Sequence, residues 1–326
     1  MRILVLGGAG FLGSWAIRAL ISEQHDVTAI VRPASRLWRI DTVPEISIVV
    51  ADEEDWPAEI LRRKPQTIIS MDWAGVAREG RDDEAMQWSN VYRQRSVIAA
   101  AIMVGTQRFV GLGSQAEYGP RFTPIDERAA NRAVTAYGRA KVAAFEQLRA
   151  LAEIGGLDWV WARVFSIYGP LDNPGFLLHT VAIKLLSREN ARLSSGKQLW
   201  SYLYASDAAQ AFALLASHPE AHGLYNVGHP VAPSLRELVE TFAQNFPGSG
   251  SLSFEPVTPK TPVSASLEPV TSRLNALGWS PQVVTETGLQ KTANWLKGQT
   301  VRDPFIAGAD LPLMRQSASH TLRPPS

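Results

Sequence analysis

The sequence predicts an α/β fold, a doubly wound parallel Rossmann sheet followed by a smaller, mixed α/β C-terminal region. Two observations predict it. Short apolar runs alternate with longer helix-like segments through the first half of the chain, which is typical of a parallel sheet covered by helices on both faces. A glycine-rich turn, residues 7–13, directly follows the first apolar run and opens a helical pattern.

The predicted elements follow that alternation along the chain. Apolar runs predict strands over residues 2–6, 26–31, 46–50, 67–71, 108–112 and 159–163. Helical spacing predicts helices over residues 13–23, 83–104, 136–153, 176–188, 207–216, 234–245 and 287–296. After residue 168, prolines and glycines interrupt the pattern more often. From about residue 298 the chain is largely irregular, so we expect a mobile tail over 298–326.

Composition excludes several classes of function. The 326 residues include 32 basic and 31 acidic side chains, and this even balance does not favour nucleic acid as a partner. The absence of cysteine excludes disulfides, thiolate nucleophiles and cysteine-ligated zinc. Only His218 and His222 show a metal-like spacing, but Pro219 lies between them and no HExxH pattern is present. We therefore expect no metal site.

The apolar start of the chain, MRILVLGGAGFLGSWAIRAL, is not expected to be a signal peptide or a membrane span. Glycines interrupt it, no A-x-A cleavage pattern follows, and Arg18 and Glu23 return charge early. No uninterrupted apolar run reaches the roughly 18 residues that a membrane span needs. These features predict a cytoplasmic protein without a membrane partner.

The glycine-rich turn predicts a dinucleotide site. Gly7 permits the tight turn, Gly10 lets the backbone approach a pyrophosphate, and Gly13 lets the helix pack closely on the strand. Phe11 and Leu12 lie between them at the helix start, where free N–H groups and the positive end of the helix dipole favour an anion. We expect these five residues to bind the pyrophosphate of the cofactor.

The end of the second strand indicates which cofactor is bound. NAD-binding proteins usually carry an acidic residue there for the ribose 2′-hydroxyl, but Val31 fills that position and Arg32 follows it, with Ser35 and Arg36 close behind. Positive charge and hydroxyl donors suit a 2′-phosphate, so NADP(H) is favoured over NAD(H). Asp52, just past the third strand, either accepts from the adenine amino group or is a surface aspartate.

Three polar residues predict acid–base chemistry at a carbonyl. Tyr137 and Lys141 are four residues apart on a predicted helix and so share one face. An ammonium beside a phenol lowers the pKa of the phenol, which then exchanges a proton with an alcohol oxygen near neutral pH. Ser114 lies just beyond the fifth strand, at the edge of a doubly wound sheet where ligands bind, and is placed to hydrogen-bond a substrate carbonyl.

These motifs together resemble the extended short-chain dehydrogenase/reductase superfamily, in its branch of nucleotide-sugar epimerases, dehydratases and ketoreductases. The resemblance covers roughly residues 1–297. Asn90 and its helix belong to it, and the other matching segments are MRILVLGGAGFLGS, RFVGLGSQAEYGP, AYGRAK, WARVFSIYGP, YLYASDAAQAF, GLYNVG and LNALGWSP.

The resemblance implies roles for individual residues. Tyr137 would be the acid/base, Lys141 would also hold the nicotinamide ribose, and Ser114 would orient and polarise the substrate oxygen. The nicotinamide pocket would be lined by Trp73, Ala74 and Val164.

The resemblance also implies a division of the chain and an oligomeric state. We predict an NADP-binding Rossmann domain over 1–168, to which 199–226 returns, and a substrate-binding region over 169–198 and 227–297. The family commonly dimerises through two helices per subunit, so a homodimer is expected through the helices near 84–103 and 136–152. The expected small-molecule partner is a nucleoside-diphosphate sugar.

The motif around Ser114 distinguishes among three reactions. Dehydratases of this family carry an Asp–Glu pair directly after the Ser or Thr, whereas Gln115 and Ala116 stand there, so dehydration is disfavoured. Epimerases oxidise and reduce the same carbon with a retained NAD. Val31 and Arg32 argue against NAD as the cofactor. The SQAEYG form and the NADP-type loop favour NADPH-dependent reduction of a keto group on a nucleotide-linked (deoxy)sugar. The alternatives are a nucleotide-sugar 4-epimerase and a non-catalytic dinucleotide-binding sensor.

Residues that contact the substrate are the weakest part of the pattern. Trp200 occupies the position of an arginine that often binds the diphosphate in sugar-nucleotide epimerases, and Arg273 is a candidate to supply the charge instead. Gln115, Glu117 and Tyr118 border the predicted crevice, where contact with the sugar and a purely structural role are both open. Glu117 comes one place too late for the dehydratase pair, so its side chain should point elsewhere.

Overall fold

A seven-stranded parallel sheet forms the centre of the protein, in a computed structural model that describes residues 1–76, 80–255 and 266–301. Its strands are β1 (Arg2–Leu6), β2 (Asp26–Val31), β3 (Ser47–Val50), β4 (Thr67–Ser70), β5 (Arg108–Ser114), β6 (Asp158–Val164) and β11 (Gly223–Val227). They lie in the order β11-β6-β5-β4-β1-β2-β3. The predicted doubly wound parallel sheet is confirmed.

Helices cover both faces of this sheet. The described helices are α1 (Phe11–Ser22), α2 (Trp56–Arg63), α3 (Glu84–Met103), α4 (Ala136–Gly155), α5 (Leu177–Leu186), α6 (Ala205–Ser217), α7 (Leu235–Ala243), α8 (Ser272–Ala276) and α9 (Thr285–Val301). On one face α1 packs against α6, and on the other α3 packs against both α2 and α4. Each face holds its own apolar core, because successive side chains of a buried strand point to opposite sides.

A third core lies outside the sheet. It joins α5, α7 and α9 through buried side chains such as Leu178, Phe242 and Leu289, and it reaches α1 at Phe11. Six short strands complete this part of the chain: β7 (Ser166–Tyr168), β8 (Asn190–Ser194), β9 (Leu199–Trp200), β10 (Tyr202–Tyr204), β12 (Ser251–Glu255) and β13 (Ser266–Leu267). They form the parallel pairs β7–β10, β8–β12 and β9–β13.

Several elements differ from those that the pattern predicts. The sequence analysis missed β11, α2, α8 and the six short strands, because elements of two to eight residues show too few turns or alternations to be distinguished from loops. The last helix continues through Val301, so the predicted start of the irregular tail at residue 298 is wrong. Residues 302–326, the rest of that predicted tail, lie outside the described residues.

The strand order positions the site. Because β1 lies between β2 and β4, the chain leaves the sheet in opposite directions after β1 and β4, and a crevice opens at their carboxyl ends. β11 pairs with β6, and α6 packs against α1, so residues 205–227 contact the elements formed by the first part of the chain. Within the described part of the chain, no helix combines the length and apolarity that crossing a membrane requires.

Candidate active site

Two adjoining clefts open at the carboxyl end of the sheet. The outer cleft, about 640 Å³, is lined by the glycine loop and by residues that follow β2, among them Arg32, Ser35 and Arg36. The inner cleft, about 410 Å³, is lined by Ser114, Tyr137 and Lys141. Gly7, Gly10, Met71, Asp72, Trp73, Asp172 and Asn173 line both. A ligand extended along the glycine loop would therefore reach from one cleft into the other.

The glycine loop has the geometry that a dinucleotide requires. Gly7 has a φ of +76°, and a Cβ there would lie 2.6 Å from the carbonyl oxygen of Met71. A Cβ on Gly13 would lie 2.4 Å from the Gly7 carbonyl oxygen, so only glycine permits this close packing of α1 on β1. Gly10, the N-cap of α1, supplies no side-chain hydrogen bond, which leaves the first amides of the helix for an anion.

The remaining loop residues lie where the sequence places them. Phe11, Leu12 and Gly13 line the inner cleft. A Cβ built on Gly10 would meet only the Gly7 carbonyl oxygen, at 3.2 Å, so open space lies above this residue. These residues fit a pyrophosphate.

The segment after β2 lines the outer cleft with two arginines and a serine. Val31 is buried, and Arg32, which is 56% exposed, approaches Glu53 at 3.4 Å. Asp52 is exposed and does not line either cleft, so the structure does not bring it to the predicted adenine contact. Its neighbour Glu53 also pairs with Arg93, at 2.9 Å.

Ser114 and Tyr137 meet in the inner cleft. Ser114 ends β5 and caps a short 3₁₀ helix over Gln115–Tyr118, its Oγ accepting from the Ala116 N–H at 3.2 Å. Tyr137 lies in the first turn of α4, where its N–H donates to the carbonyl oxygen of Arg81 at 2.9 Å. Burial raises the pKa of Tyr137, while its hydrogen bond with Ser114 and the charge of Arg81 act in the opposite direction.

Lys141 lies one turn further along α4 and is also buried. Its Nζ donates to the Leu112 carbonyl oxygen at 2.6 Å and lies 3.6 Å from the ring centroid of Trp73. Burial lowers the pKa of Lys141 to about 7, against the charges of Glu117 and Asp72.

The expectation that Lys141 lowers the pKa of Tyr137 stays a prediction. The Lys141 Nζ lies 5.9 Å from the Tyr137 ring centroid, while burial raises the pKa of the phenol. The shared helix face places both residues at the same cleft.

Glu117 and Tyr118 lie beneath the cleft, in the core. The Glu117 carboxylate accepts from the Ser114 N–H at 2.7 Å, and from Arg163 Nε at 2.7 Å. The Tyr118 hydroxyl donates to Asn226 Oδ1 at 2.7 Å. Both side chains are fully buried and line neither cleft, so the predicted contact with the sugar is wrong and the structural role is correct. As its register predicts, Glu117 points away from the position of a dehydratase acid.

The residues expected around the nicotinamide lie at the inner cleft or beside it. Trp73 and Val164 line it. Ala74 is held next to it by Asn90, whose Oδ1 accepts from the Ala74 N–H at 2.9 Å and whose Nδ2 donates to the Ala74 carbonyl at 3.1 Å. The Trp73 indole donates to Gln87 and packs edge-on against Tyr137.

Of the residues expected to bind the substrate, some lie at the inner cleft and others do not. Gln115 lines the inner cleft. Trp200 lines neither cleft and reaches the inner one only through its hydrogen bond to Ser166, at 2.6 Å.

Arg273 lies at the opposite end of the sheet, so the prediction that it binds the diphosphate is wrong. Its guanidinium donates to the carbonyl oxygen of His222 at 2.9 Å, just before β11 begins. Gly223 pairs with Val160 near the start of β6, whereas Ser114 is level with Val164 at the end of that strand.

Sequence reasoning missed four charged residues that line these clefts or pair with a residue that does. Arg81 stacks on Tyr137, its Cζ 4.8 Å from the ring centroid, and lines the inner cleft. Arg93 pairs with Asp72 at 2.9 Å. Arg39 donates to Leu171 and Asn173 across the outer cleft, where burial raises the pKa of Asp172 to about 7. None of these residues belongs to a recognisable motif. The one clue in the sequence was that Arg93 lies three residues after Asn90, close enough on a helix to hydrogen-bond to it.

Comparison with known proteins identifies the family. Residues 3–228 match the NAD dependent epimerase/dehydratase family. The chain belongs to this family. This chain is similar to the dTDP-6-deoxy-L-talose 4-dehydrogenase (NAD(P)(+)) of Kitasatospora kifunensis, with 27% identity over 86% of this chain and 91% of that protein's length.

Solved structures of epimerases share the fold of this family member. UDP-glucose 4-epimerase of Thermotoga maritima, solved with UDP-glucose, superposes with a TM-score of 0.82 at 21% identity, over 93% of this chain and 100% of its own. UDP-glucose 4-epimerase of Thermus thermophilus, solved with NAD, gives a TM-score of 0.81 at 23% identity, over 91% of this chain and 99% of its own.

Among residues 1–76, 80–255 and 266–301, no three His, Cys, Asp or Glu side chains group closely enough to hold a metal.

Proposed function

We propose that this epimerase/dehydratase family member transfers a hydride between a nicotinamide cofactor and the C4 carbon of a nucleoside-diphosphate sugar, and that 4-epimerisation is the best supported outcome. The observation that carries the proposal is the convergence of Ser114, Tyr137 and Lys141 in one cleft that also contains the glycine loop. An acid–base group, a hydroxyl donor and a cation beside a dinucleotide cradle suit reversible oxidation of an alcohol.

The side chains at the cleft divide the work. When bound, the cofactor supplies the hydride acceptor or donor. Tyr137 takes the proton of the sugar hydroxyl during oxidation and returns it during reduction, while Ser114 donates a hydrogen bond to the same oxygen. Lys141 lies in the same cleft, so we assign it to the nicotinamide ribose.

Two features support epimerisation over the other reactions of the family. Two structural neighbours named above are UDP-glucose 4-epimerases, one solved with its sugar nucleotide and one with NAD. Dehydration lacks its acidic pair, because Gln115 and Ala116 follow Ser114. An epimerase must also let the 4-keto sugar present both faces to the nicotinamide, for which the inner cleft, at about 410 Å³, offers room.

Net ketoreduction with NADPH is the second candidate. The specific observation in its favour is the lining of the outer cleft by Arg32, Ser35 and Arg36, which suits a 2′-phosphate and therefore a cofactor that is exchanged in each turnover. The Kitasatospora relative, whose name includes NAD(P)(+), is a 4-dehydrogenase of a deoxysugar nucleotide.

A panel of UDP-, dTDP- and GDP-hexoses and their 4-keto derivatives tests the proposal. We expect C4 epimers to accumulate without net change in nicotinamide absorbance if the main proposal is correct. Stoichiometric loss of NADPH with a 4-keto sugar would support the second candidate instead. Tight cofactor binding without turnover of any sugar would contradict both and favour a non-catalytic sensor.

We also propose that the protein is a homodimer through α3 and α4, which pack against each other. Their outer surfaces expose large apolar side chains: Trp88 at 40%, Tyr92 at 66%, Met103 at 75% and Ile154 at 87%. An exposed apolar surface of this kind favours association. Sedimentation velocity on the wild type and on Tyr92→Glu tests this, with a dimer expected for the first and a monomer for the second.

A further inference from the structure

A buried arginine joins three segments of the chain beside the glycine loop. Arg39, which is 9% exposed, comes after β2 and lines the outer cleft. Its Nε donates to the carbonyl oxygen of Leu171 at 2.9 Å, and its Nη2 donates to Asn173 Oδ1 at 2.9 Å. Its Nη1 donates to the carbonyl oxygen of Ala9, within the glycine loop, at 3.5 Å. We call these three hydrogen bonds the Arg39 bridge.

Neighbouring contacts hold the bridge in place. The Trp38 ring stacks on the Arg39 guanidinium, with Cζ 4.3 Å from the ring centroid. From α1, Arg18 donates to the carbonyl oxygen of Arg39 at 2.7 Å, and Trp15 donates to that of Pro170 at 3.0 Å. Both sides of the bridge are therefore anchored to the helix that begins at the glycine loop.

Leu171 gives a separate sign that the bridged segment is held rather than loose. Its φ of +70° lies in the left-handed region, which a branched apolar residue rarely adopts. Such a conformation persists where the surrounding structure holds it. The Leu171 side chain is buried in the third core, and its carbonyl oxygen accepts from Arg39. The segment is thus fixed through both its side chain and its backbone.

The bridge spans the place where the two clefts meet. Asp172 and Asn173 line both clefts, and so do Gly7 and Gly10 of the glycine loop. A dinucleotide that extends from the outer cleft into the inner one passes beside both sets of residues. The Arg39 bridge joins these two sets through a single guanidinium.

We propose that Arg39 is a positioning residue for the cofactor: its bridge holds residues 171–173 against the glycine loop and must open before the dinucleotide leaves. This rests on the proposed function only in that the cofactor is a nicotinamide dinucleotide. A guanidinium donates to several acceptors in a fixed fork, so one side chain is sufficient to join both sides. Slow release suits an epimerase, which uses the same cofactor molecule for oxidation and for reduction.

The bridge should act equally on NADH and NADPH. Both cofactors carry the pyrophosphate that the glycine loop would bind, whereas only NADPH carries the 2′-phosphate that Arg36 would contact. A change at Arg39 should therefore alter the release of both cofactors, which separates its effect from that of Arg36.

Stopped-flow fluorescence measures the release. A complex of the protein with NADH or NADPH is mixed with an excess of the oxidised cofactor, and the change in nicotinamide fluorescence gives the dissociation rate constant, koff. We compare the wild type with Arg39→Met, Asn173→Ala and the double variant. The matched control is Arg108→Met. Arg108 is also 9% exposed and also donates to backbone carbonyls of a distant segment, among them that of Leu215, but at the amino end of the sheet.

We expect Arg39→Met to raise koff for both cofactors about ten- to a hundredfold, which corresponds to the usual contribution of hydrogen bonds to a charged group. Asn173→Ala removes one of the three bonds and should raise koff by a smaller factor. The double variant should release cofactor no faster than Arg39→Met, because the Asn173 side chain has by then lost its partner. Arg108→Met should change koff by less than about twofold.

An unchanged koff in Arg39→Met, or an equal rise in Arg108→Met, would overturn the proposal. Effects of Arg39→Met and Asn173→Ala that multiply in the double variant would also overturn it, since they would mean that the two side chains act separately. If Arg39→Met does not fold, a wild-type koff in Asn173→Ala decides against the bridge. A wild type that binds neither cofactor would contradict the proposed function as well, whereas unchanged release from a stable complex contradicts the bridge alone.

Discussion

At the amino end of β5 and β6, Arg108 and Asp158 form an ion pair at 2.6 Å, whereas at the carboxyl end of the same two strands Ser114 faces Tyr137 in an open cleft. Both ends of the sheet are rich in polar side chains. At the amino end they satisfy one another: His222 also contacts Asp158 at 2.7 Å, and Arg273 donates to the His222 carbonyl.

At the carboxyl end, by contrast, ionisable groups are buried beside a cleft and their pKa values move. Burial raises the pKa of Tyr137 and lowers that of Lys141 to about 7. Perturbed groups of this kind concentrate at functional sites. The cleft at the carboxyl end therefore contains the ionisable groups to which we assign chemistry, whereas the ion pairs at the amino end are structural.

Tyr137→Phe should have the largest effect on activity. Loss of the acid–base hydroxyl is expected to lower kcat/KM about a thousandfold, because general acid–base catalysis contributes about 10²- to 10⁴-fold. The Kd for the cofactor should stay nearly unchanged, since the glycine loop is untouched. Steady-state kinetics and fluorescence titration check both values, with Tyr92→Phe on the exposed face of α3 as the control. Retention of half of the activity would remove Tyr137 from its assigned role.

Arg163→Met should have the largest effect on stability. It leaves the fully buried Glu117 carboxylate without its cation, and breaking a buried pair costs about 3–5 kcal/mol. The matched control is Arg149→Met, which breaks the half-exposed Arg149–Glu146 pair on α4 and should cost less than about 1 kcal/mol. Urea denaturation measures the free energy of unfolding of each. Equal losses of unfolding free energy in the two variants would mean that the buried Arg163–Glu117 pair is no costlier to break than the half-exposed Arg149–Glu146 pair.

Lys141 should make stability depend on pH. Because burial lowers its pKa from 10.5 to about 7, the unfolded chain binds more protons than the folded protein between these values, so its contribution to stability grows as pH rises. The free energy of unfolding of the wild type relative to Lys141→Met should therefore rise by roughly 3 kcal/mol between about pH 7 and about pH 9.5. Urea denaturation at both pH values measures it.

Lys184→Met, which removes an exposed surface ammonium paired with Glu189, provides the control for this pH dependence. Its difference from the wild type should stay nearly constant with pH. If the difference in unfolding free energy between the wild type and Lys141→Met is equally constant with pH, the buried ammonium has the same pKa in the folded and unfolded states.

Arg36→Gln tests whether the outer cleft recognises the 2′-phosphate of NADPH. We expect it to weaken NADPH binding about tenfold and to leave NADH binding nearly unchanged, because a 2′-phosphate loses a charged hydrogen-bond donor. Isothermal titration calorimetry with both cofactors measures this, with Arg62→Gln on the exposed face of α2 as a control. Equal weakening of both cofactors would contradict selection for the 2′-phosphate.

Arg273→Gln should have the smallest effect. Since its guanidinium lies at the amino end of the sheet, KM for the sugar nucleotide should change by less than about twofold. Steady-state kinetics with saturating cofactor check this. A tenfold rise in KM would mean that the substrate reaches the far end of the sheet, which the strand register contradicts.

Local patterns in the sequence were sufficient for six of the seven strands of the sheet and for the convergence of Ser114 with Tyr137. Parallel strands bring their carboxyl ends together, so a motif after β5 and one at the start of α4 are expected at the same edge. The role of Glu117 was not predictable, because it depends on Trp161 and Arg163 from β6, more than 40 residues away. Long-range packing of that kind leaves no local periodicity.

Arg273 and Arg81 illustrate the same limit in opposite directions. Arg273 donates to the carbonyl oxygen of His222, 51 residues before it, and composition does not reveal such a long-range contact. Arg81 lies between β4 and α3 without a motif, yet the contact of its backbone with the first turn of α4 brings it to the phenol.

The most direct test of the central claim is transfer of deuterium from C4 of labelled UDP-, dTDP- and GDP-hexoses, followed by NMR in the wild type and in Tyr137→Phe. For the wild type we expect deuterium at C4 of an epimer or on the nicotinamide ring of the cofactor, and for Tyr137→Phe we expect neither. Deuterium found only at C4 of the unchanged sugar in the wild type, with every hexose tested, would contradict hydride transfer at C4. Equal amounts of epimer or labelled cofactor in Tyr137→Phe would contradict the role of the Tyr137 hydroxyl.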